Sequence, residues 1–545
     1  MTARLLVAAL AGAALSAAYE PIAVPYLLPL AVAAFALTTG GLSVPRAGLV
    51  GWVFGLCFYL IHIDWLAPSE GVGAWLPLAV LVSLSYAVVG LTVPLVRALP
   101  LWPLWLAVVW TAVEDLRSTW PFGGMPWGRL AFAAIDTPVA AAVAYVGMSL
   151  LSLLLALIGF QLARAIEERS VRWTLATVAV VALAAVPAVA PYPFHRTGST
   201  TVAAVQGNVP GRGDNMIADP RGITRNESQA TVRLADQVRT GRRSRPSFVL
   251  WPENSTVVDV FMDPEANAYV NQAVDAVDVP VLVGGVVDLG RRYMLNQGIV
   301  WDPQTGPGDR YTKHHPVPWG EYVPLRHIWD ARFGKLALVP RDMLAGTRTT
   351  PLRVGSLRVG DAICFDVAYD DVLREQVRNG AQLLAVQTSN ASFIYTPQVD
   401  QQFAITRLRA IEDGRWLVVA STNGLSGVIA PDGTVVQTAP RRTQAILEQT
   451  VGLGSGITPA VWLGAWPSRV VGGLGVLALL CGVVTYRRRR GEATSQARAG
   501  ALRRLHRDAA DRALRDRQGR ELDRDPADDR PARPGQPDRD VVDQA

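Results

Sequence analysis

Charge is scarce in this chain. Charged residues make up 18% of its 545 positions, against about a quarter in an ordinary soluble domain. Hydrophobic residues reach 50% and the mean hydropathy is +0.21. That shortage excludes an ordinary soluble enzyme and points to membrane segments. Cysteine is scarce too: Cys57, Cys364 and Cys481 have no paired spacing, which excludes a disulfide framework and a cysteine-built zinc site. The six histidines cluster only at His314–His315, so the sequence calls for no metal. The formal charge is +6, yet no basic stripe interleaved with aromatics occurs, which argues against a nucleic-acid partner. There is no internal repeat.

What the chain has instead is long apolar runs. A helix needs roughly 20 apolar residues to cross a bilayer core. Candidate spans before residue 191 run about 3–18, 22–40, 47–67, 72–97, 102–118, 139–165 and 171–190. The first resembles a signal peptide in length, but another apolar segment follows it directly, so it reads as a retained span. Arg4, Arg46, Arg97 and the Arg164–Arg172 loop fall at every second connection, which puts those loops in the cytoplasm. A last span near Val470–Tyr486 is followed at once by Arg487–Arg490. The consistent solution is eight spans with both termini cytoplasmic. The expected organisation is a seven-span domain over 1–194, a catalytic domain over 195–460, a last span with its basic stop over 461–490, and a charged tail over 491–545. That tail balances 12 Arg against 12 Asp plus Glu and reads as solvated chain with a transient helix near 500–520.

Between 195 and 460 the pattern changes. β-like runs at Thr201–Gln206, Phe248–Trp251, Pro280–Gly285, Leu357–Ile363, Leu383–Thr388 and Trp416–Ala420 alternate with helical patterns near 226–240, 263–277, 370–378 and 398–412. This alternation predicts a layered α/β domain, and seven spans starting inside place it outside the cytoplasm.

Three segments there set an ionisable residue close to a β-like run or a turn: Phe248-Val-Leu-Trp-Pro-Glu253, Lys313-His-His-Pro-Val-Pro-Trp-Gly-Glu321 and Val359-Gly-Asp-Ala-Ile-Cys364-Phe-Asp366. A free thiol is only slightly ionised at neutral pH and needs help to attack. Glu253 could take its proton, and Lys313 could stabilise both the thiolate and the oxyanion that follows. Each residue alone has a plainer reading. A cysteine after an apolar strand is commonly a buried small hydrophobe, and a lone Glu or Lys at a strand end is commonly a surface charge.

Together these segments resemble the carbon–nitrogen hydrolase (nitrilase) superfamily, whose members use a Glu–Lys–Cys triad on an αββα sandwich. The resemblance makes Glu253 the base, Lys313 the oxyanion stabiliser and Cys364 the nucleophile, at separations of 60 and 51 residues. Glu321 matches the superfamily's additional glutamate, with Asp366 and Asn390 in support. Trp251, Trp319, Phe365 and Phe393 are the expected substrate contacts. One branch of the superfamily carries this domain behind a polytopic membrane domain: the apolipoprotein N-acyltransferase family, which the chain resembles from about residue 5 to 486. The matches include Phe54-Gly-Leu-Cys-Phe-Tyr59 with Trp65, Pro121-Phe-Gly-Gly-Met-Pro-Trp-Gly128, Val205-Gln-Gly-Asn-Val-Pro210, Thr388-Ser-Asn390, Arg407-Leu-Arg-Ala-Ile-Glu412 and Ser421-Thr-Asn-Gly424. Where the family commonly has Cys-Tyr-Glu, this chain has Cys364-Phe365-Asp366. Where Asp and Trp are usual, it has Ala391-Ser392-Phe393.

The resemblance implies a two-step reaction without a cofactor. An acyl chain passes from a membrane phospholipid to Cys364, then to the N-terminal amine of a diacylglyceryl-modified apolipoprotein. Some relatives are fused or paired with a polyprenol-phosphate mannose synthase, which makes that enzyme a candidate partner for the tail. The loop Ile328–Val339, with Phe333, Leu336 and Leu338, is a candidate lid dipping into the bilayer. Two alternatives stay open: a membrane-anchored amidase or nitrilase that passes the acyl group to water, and a non-catalytic transporter or scaffold. Ionisable residues inside spans mark transport paths, and the spans other than 22–40 and 102–118 contain few.

Overall fold

The computed structural model describes residues 1–328 and 339–522. The candidate lid, apart from its two end residues, and positions 523–545 lie outside the described residues.

Helices form at each of the eight predicted apolar runs, because backbone groups in lipid must satisfy one another. They are α1 (Thr2–Ser16), α2 (Leu27–Thr39), α3 (Val44–His62), α5 (Val72–Val96), α6 (Trp102–Arg117), α7 (Val143–Glu168), α8 (Val171–Val189) and α14 (Trp466–Leu522), with a short α4 (Leu66–Glu70) between α3 and α5. Among the described residues, five segments are long and apolar enough to cross a membrane: Val44–His62, Val72–Val96, Pro138–Glu168, Val171–Val189 and Trp466–Gln518. Small residues let α3 and α5 approach closely. A Cβ added at Gly51 would sit 2.4 Å from the Tyr86 carbonyl, and one at Gly90 would sit 2.5 Å from that of Ala47, the packing expected where lipid supplies no hydrophobic drive between helices.

The last helix departs from expectation. It runs without a break through Arg487–Arg490 to Leu522, where the sequence reading had solvated tail with a short helix. The stretch after the basic cluster is rich in Ala, Arg and Leu, all strong helix formers, so helicity propagates once started.

The α/β domain is a four-layer sandwich. Its strands are β1 (Arg196–Gln206), β2 (Phe248–Leu250), β3 (Val281–Leu289), β4 (Tyr293–Asp302), β5 (Gly306–Thr312), β6 (Asp342–Met343), β7 (Leu352–Val354), β8 (Leu357–Ile363), β9 (Leu383–Thr388), β10 (Leu417–Ser421), β11 (Gly427–Ile429), β12 (Val435–Thr438) and β13 (Ala445–Gly454). One sheet has the order β13-β1-β2-β3-β4-β5 with β6 beside β4; the other has the order β12-β11-β10-β9-β8-β7. Each is parallel at its centre, β1-β2-β3 and β8-β9-β10, and antiparallel beyond it apart from the short parallel pair β4-β6.

The period of two along each strand assigns the layers. Phe248 and Leu250 join the core shared with the second sheet, while Val249 and Trp251 join a separate core with Leu234 of α9 (Gly222–Arg239) and with Val270 and Val274 of α10 (Pro264–Val277). The second sheet carries α11 (Val372–Arg378) and α12 (Gln398–Asp413), whose Leu373, Val377, Leu408 and Ile411 are buried in the larger core. A final short helix, α13 (Pro459–Leu463), leads to α14.

Candidate active site

Strands of both sheets deliver their following residues to one place. Glu253 lies just past β2, Lys313 directly follows β5 and Cys364 directly follows β8. Convergence beyond strand ends is where α/β folds build sites. The structure therefore brings the three expected residues together.

Lys313 is 1% exposed and Glu253 is 2% exposed. The Lys313 ammonium donates to Glu253 Oε1 at 3.1 Å and to Glu321 Oε1 at 2.8 Å. The other Glu253 oxygen accepts the Ser389 backbone N–H at 2.8 Å. Asn296 donates to Glu253 at 2.8 Å and to Glu321 at 3.1 Å. Glu321 Oε2 accepts the Val317 N–H at 2.7 Å. A buried cation is tolerated only when paired and bonded in this way. Burial alone would favour the neutral amine, but Glu253 and Glu321 outweigh it and hold Lys313 well above its ordinary value.

Cys364 begins a short 3-10 turn, Cys364–Ala368, with φ of +53°. For a residue with a Cβ that left-handed backbone is strained, and such strain gathers at functional sites. Although the residue keeps some accessible surface, the protein around the thiol pushes it up to about 12. Glu253 adds to this rise, while Lys313 and a hydrogen bond to Thr388 oppose it. At neutral pH the resting group is a thiol, not a thiolate.

Asp366 is buried and ties this turn to the Lys313 segment. It accepts the Tyr311 hydroxyl at 2.8 Å, the His315 N–H at 2.8 Å and the Ile363 N–H at 3.2 Å. Asn390 accepts the Ser421 hydroxyl at 2.8 Å and turns its amide nitrogen toward Gln402 at 3.3 Å, joining the end of β9 to α12.

Of the four expected aromatic contacts, three meet an aromatic residue of the membrane half. Phe365 stacks on Trp127 (5.8 Å, 15°), Phe393 meets the edge of Trp65 (5.4 Å, 83°), and Trp319 meets Phe122 (5.5 Å, 83°). Trp251 does not join them. It is fully buried on the helix side of β2 and donates to Thr231 of α9 at 2.9 Å. Alternation along the strand sends the side chain of residue 251 away from the site, which corrects the expectation for that residue.

Several residues here were missed by sequence reasoning. Gln401 of α12 is bonded on all sides: its carbonyl oxygen accepts the indole N–H of Trp65 at 3.0 Å and of Trp127 at 2.7 Å, and its nitrogen donates to the carbonyls of Glu20 at 3.0 Å and His62 at 3.2 Å. Asn296 had a legible signal, an amide at the centre of the apolar strand Tyr293-Met-Leu-Asn-Gln-Gly-Ile-Val-Trp. Gln401 had none, because its partners are distant in sequence. Among the described residues, His314, His315 and Asp371 form a group that could hold a cation, with donor atoms within 4.8 Å of one another. His315 already pairs with Asp371 at 2.9 Å and stacks on Tyr369 at 3.7 Å.

A thiol, a carboxylate and an ammonium in one buried site are the parts of acyl transfer by nucleophilic catalysis. Comparison with known proteins gives the family. Residues 11–161 match the apolipoprotein N-acyltransferase N-terminal domain and residues 262–456 match carbon-nitrogen hydrolase. An apolipoprotein N-acyltransferase of Mycolicibacterium smegmatis is 35% identical over 470 residues, covering 81% of this chain and 79% of that one. The chain belongs to the apolipoprotein N-acyltransferase family. Members from Azotobacter vinelandii and Methylococcus capsulatus are each 28% identical, covering 87% and 91% of this chain and 93% and 98% of their own. An amidase from Nesterenkonia sp. superposes with a TM-score of 0.34 at 16% identity, over 50% of this chain and 95% of its own, a likeness too slight to argue from. The carbon-nitrogen hydrolase match begins after Glu253, so the link between Glu253 and the family's site rests on the hydrogen bonds above.

Proposed function

We propose that the chain transfers a fatty acyl group from a membrane phospholipid, through a thioester on Cys364, to the N-terminal amine of a diacylglyceryl-modified apolipoprotein. One observation carries this reading: Lys313, buried and shared between Glu253 and Glu321, lies beside the Cys364 thiol in a chain of this family. In the first step Sγ attacks the phospholipid ester carbonyl as Glu253 takes the thiol proton. The Lys313 ammonium meets the oxyanion, and Glu253 returns the proton to the departing lysophospholipid oxygen. In the second step the acceptor amine attacks the thioester, its proton passes to Glu253 and the thiol is restored. The raised thiol supports base-assisted attack over a preformed thiolate, and Glu321 keeps Lys313 charged and aimed. Trp319, Phe365 and Phe393, against Phe122, Trp127 and Trp65, form the approach for the acyl chain.

In the finer reading, 1–194 holds seven spans, 195–460 is the extracytoplasmic catalytic domain, 461–490 holds an eighth span and its basic stop, and both termini are cytoplasmic. Helices at all eight positions support it, five of them, among the described residues, long and apolar enough to cross a membrane. A polyprenol-phosphate mannose synthase remains a candidate partner for residues 491–545, tested by whether deleting them abolishes co-purification. The function is tested by incubating the purified chain with phospholipid and a diacylated lipopeptide. An acyl adduct on Cys364, chased into N-acylated peptide, is the expected result. Free fatty acid without N-acylated peptide would instead identify a hydrolase, and no adduct at all would remove the nucleophile.

A further inference from the structure

The turn that carries Cys364 is gripped from both halves of the molecule. From the catalytic side, Arg409 of α12 donates to the carbonyls of Val367 at 2.8 Å and Ala368 at 3.1 Å and to Asp370 Oδ1 at 2.9 Å. From the membrane half, Arg129 donates to the same oxygen of Asp370 at 2.8 Å. The Arg129 side chain is 2% exposed, and its remaining contacts all lie in the membrane half: Asp115 at 3.2 Å, Ser149 at 3.3 Å and Glu114 at 3.8 Å. Asp115 is held in turn by the Ser149 hydroxyl at 2.8 Å. Burial alone would raise the Asp370 carboxyl, but Arg129 and Arg409 outweigh it and hold that group well below the usual carboxylate range. Asp370 is thus a charged pin shared by one arginine from each half.

The pin lies six residues after a strained nucleophile position. In the same stretch Phe365 stacks on Trp127, and the Tyr369 hydroxyl donates to the Gly124 carbonyl at 3.4 Å. A left-handed conformation at a residue with a Cβ persists only when its surroundings over-determine it. We propose that Arg129 is a positioning residue for the reaction: by holding Asp370 against Arg409, it fixes the turn that aims the Cys364 thiol at Glu253 and Lys313. The inference rests on Cys364 being the nucleophile. It makes the loop after α6 a working part of the catalytic machinery, beyond its part in anchoring.

The test uses the full chain in detergent or nanodiscs and compares wild type with Arg129→Met, Arg129→Lys and Asp370→Asn. The first readout is the rate of Cys364 alkylation by iodoacetamide against pH, resolved by mass spectrometry from Cys57 and Cys481. The second is single-turnover acylation by phospholipid. Arg129→Met is expected to slow acylation at least 30-fold with KM changed less than threefold, and to move the alkylation rate at least tenfold at fixed pH. Arg129→Lys should recover part of both. Where Arg129→Met does not give a monodisperse protein, Asp370→Asn keeps the side chain's shape, withdraws the charge from both arginines and should move both readouts the same way. Alkylation and acylation like wild type in either folded variant overturn the proposal. Lost acylation with unchanged alkylation overturns it too, because the thiol would then be correctly set without the pin. Absence of an acyl adduct on wild-type Cys364 would instead sink the proposed function, and the alkylation comparison would still decide whether Arg129 positions the thiol.

Discussion

The two sides of the site are secured by different neighbours. Glu253 and Lys313 rise from the first sheet and bond to Asn296, Glu321 and Ser389, all residues of the same α/β domain. Cys364 rises from the second sheet on a turn whose next residues lean on the membrane half: Phe365 on Trp127, Tyr369 on Gly124 and Asp370 on Arg129. Glu253 and Lys313 form an ion cluster that the sandwich completes by itself, because each buried charge finds its counter-charge locally. The strained turn at Cys364 is followed by residues that take contacts from both halves. Such a division suits an enzyme whose donor and acceptor both arrive in lipid.

The hardest test of that contrast is Cys364→Ala, which should lower acyl transfer by on the order of 10⁶-fold, as loss of a nucleophile does elsewhere, and abolish the adduct in mass spectra. The pH dependence comes next. An ordinary thiol titrates near 8.5, and this one is pushed up to about 12 by burial and Glu253 against Lys313 and Thr388. The folded chain holds this proton more tightly than the unfolded one. The resulting stability is whole below about pH 8.5 and is lost as pH rises toward 12. Alkylation of resting Cys364 at pH 8 should run about 10³-fold slower than that of a free thiol and still be climbing at pH 10.

Lys313→Met should cost about 10²–10³-fold in acylation, the range for losing one oxyanion donor. It also leaves Glu253 and Glu321 as an uncompensated pair, so Lys313→Met combined with Glu321→Gln should regain stability in denaturant titrations without regaining activity. On the other side, Gln401→Leu strips partners from two indoles and two carbonyls. It should destabilise the chain by about 2–3 kcal/mol in thermal unfolding while leaving the Glu253–Lys313 cluster intact. The smallest effect belongs to Tyr369→Phe, which removes one long hydrogen bond to the membrane half and should cost less than about 0.5 kcal/mol. A large loss there would mean that the turn leans on Gly124 more heavily than its 3.4 Å contact indicates.

Much of the fold was legible in the sequence because its signals are local. Leu357–Ile363 and Leu383–Thr388 form strands over the β-like runs that forecast them. Strand β4 escaped because Asn296 and Gln297 interrupt its apolar pattern; Asn296 bonds Glu253 and Glu321, and Gln297 bonds Thr312 of β5. Strand β5, Gly306-Pro-Gly-Asp-Arg-Tyr-Thr, reads as a turn, since glycine and proline punctuate loops. One site signal was present and unused. Of 52 basic residues, only Lys313 and Lys335 are lysines. A chain that otherwise uses arginine keeps a compact ammonium where two carboxylates and a thiol converge, and a planar guanidinium is a poor substitute there.

The apolar runs, the strand periodicities and the three ionisable segments were set by the sequence alone, because hydrophobic patterning and turn chemistry act over a few residues. Which face Trp251 takes, which four groups surround the Gln401 amide, and that Arg129 and Arg409 share Asp370 across 241 and 39 residues of chain were decided only by the tertiary structure. Such contacts depend on where whole sheets and helices come to rest, and no local pattern encodes that.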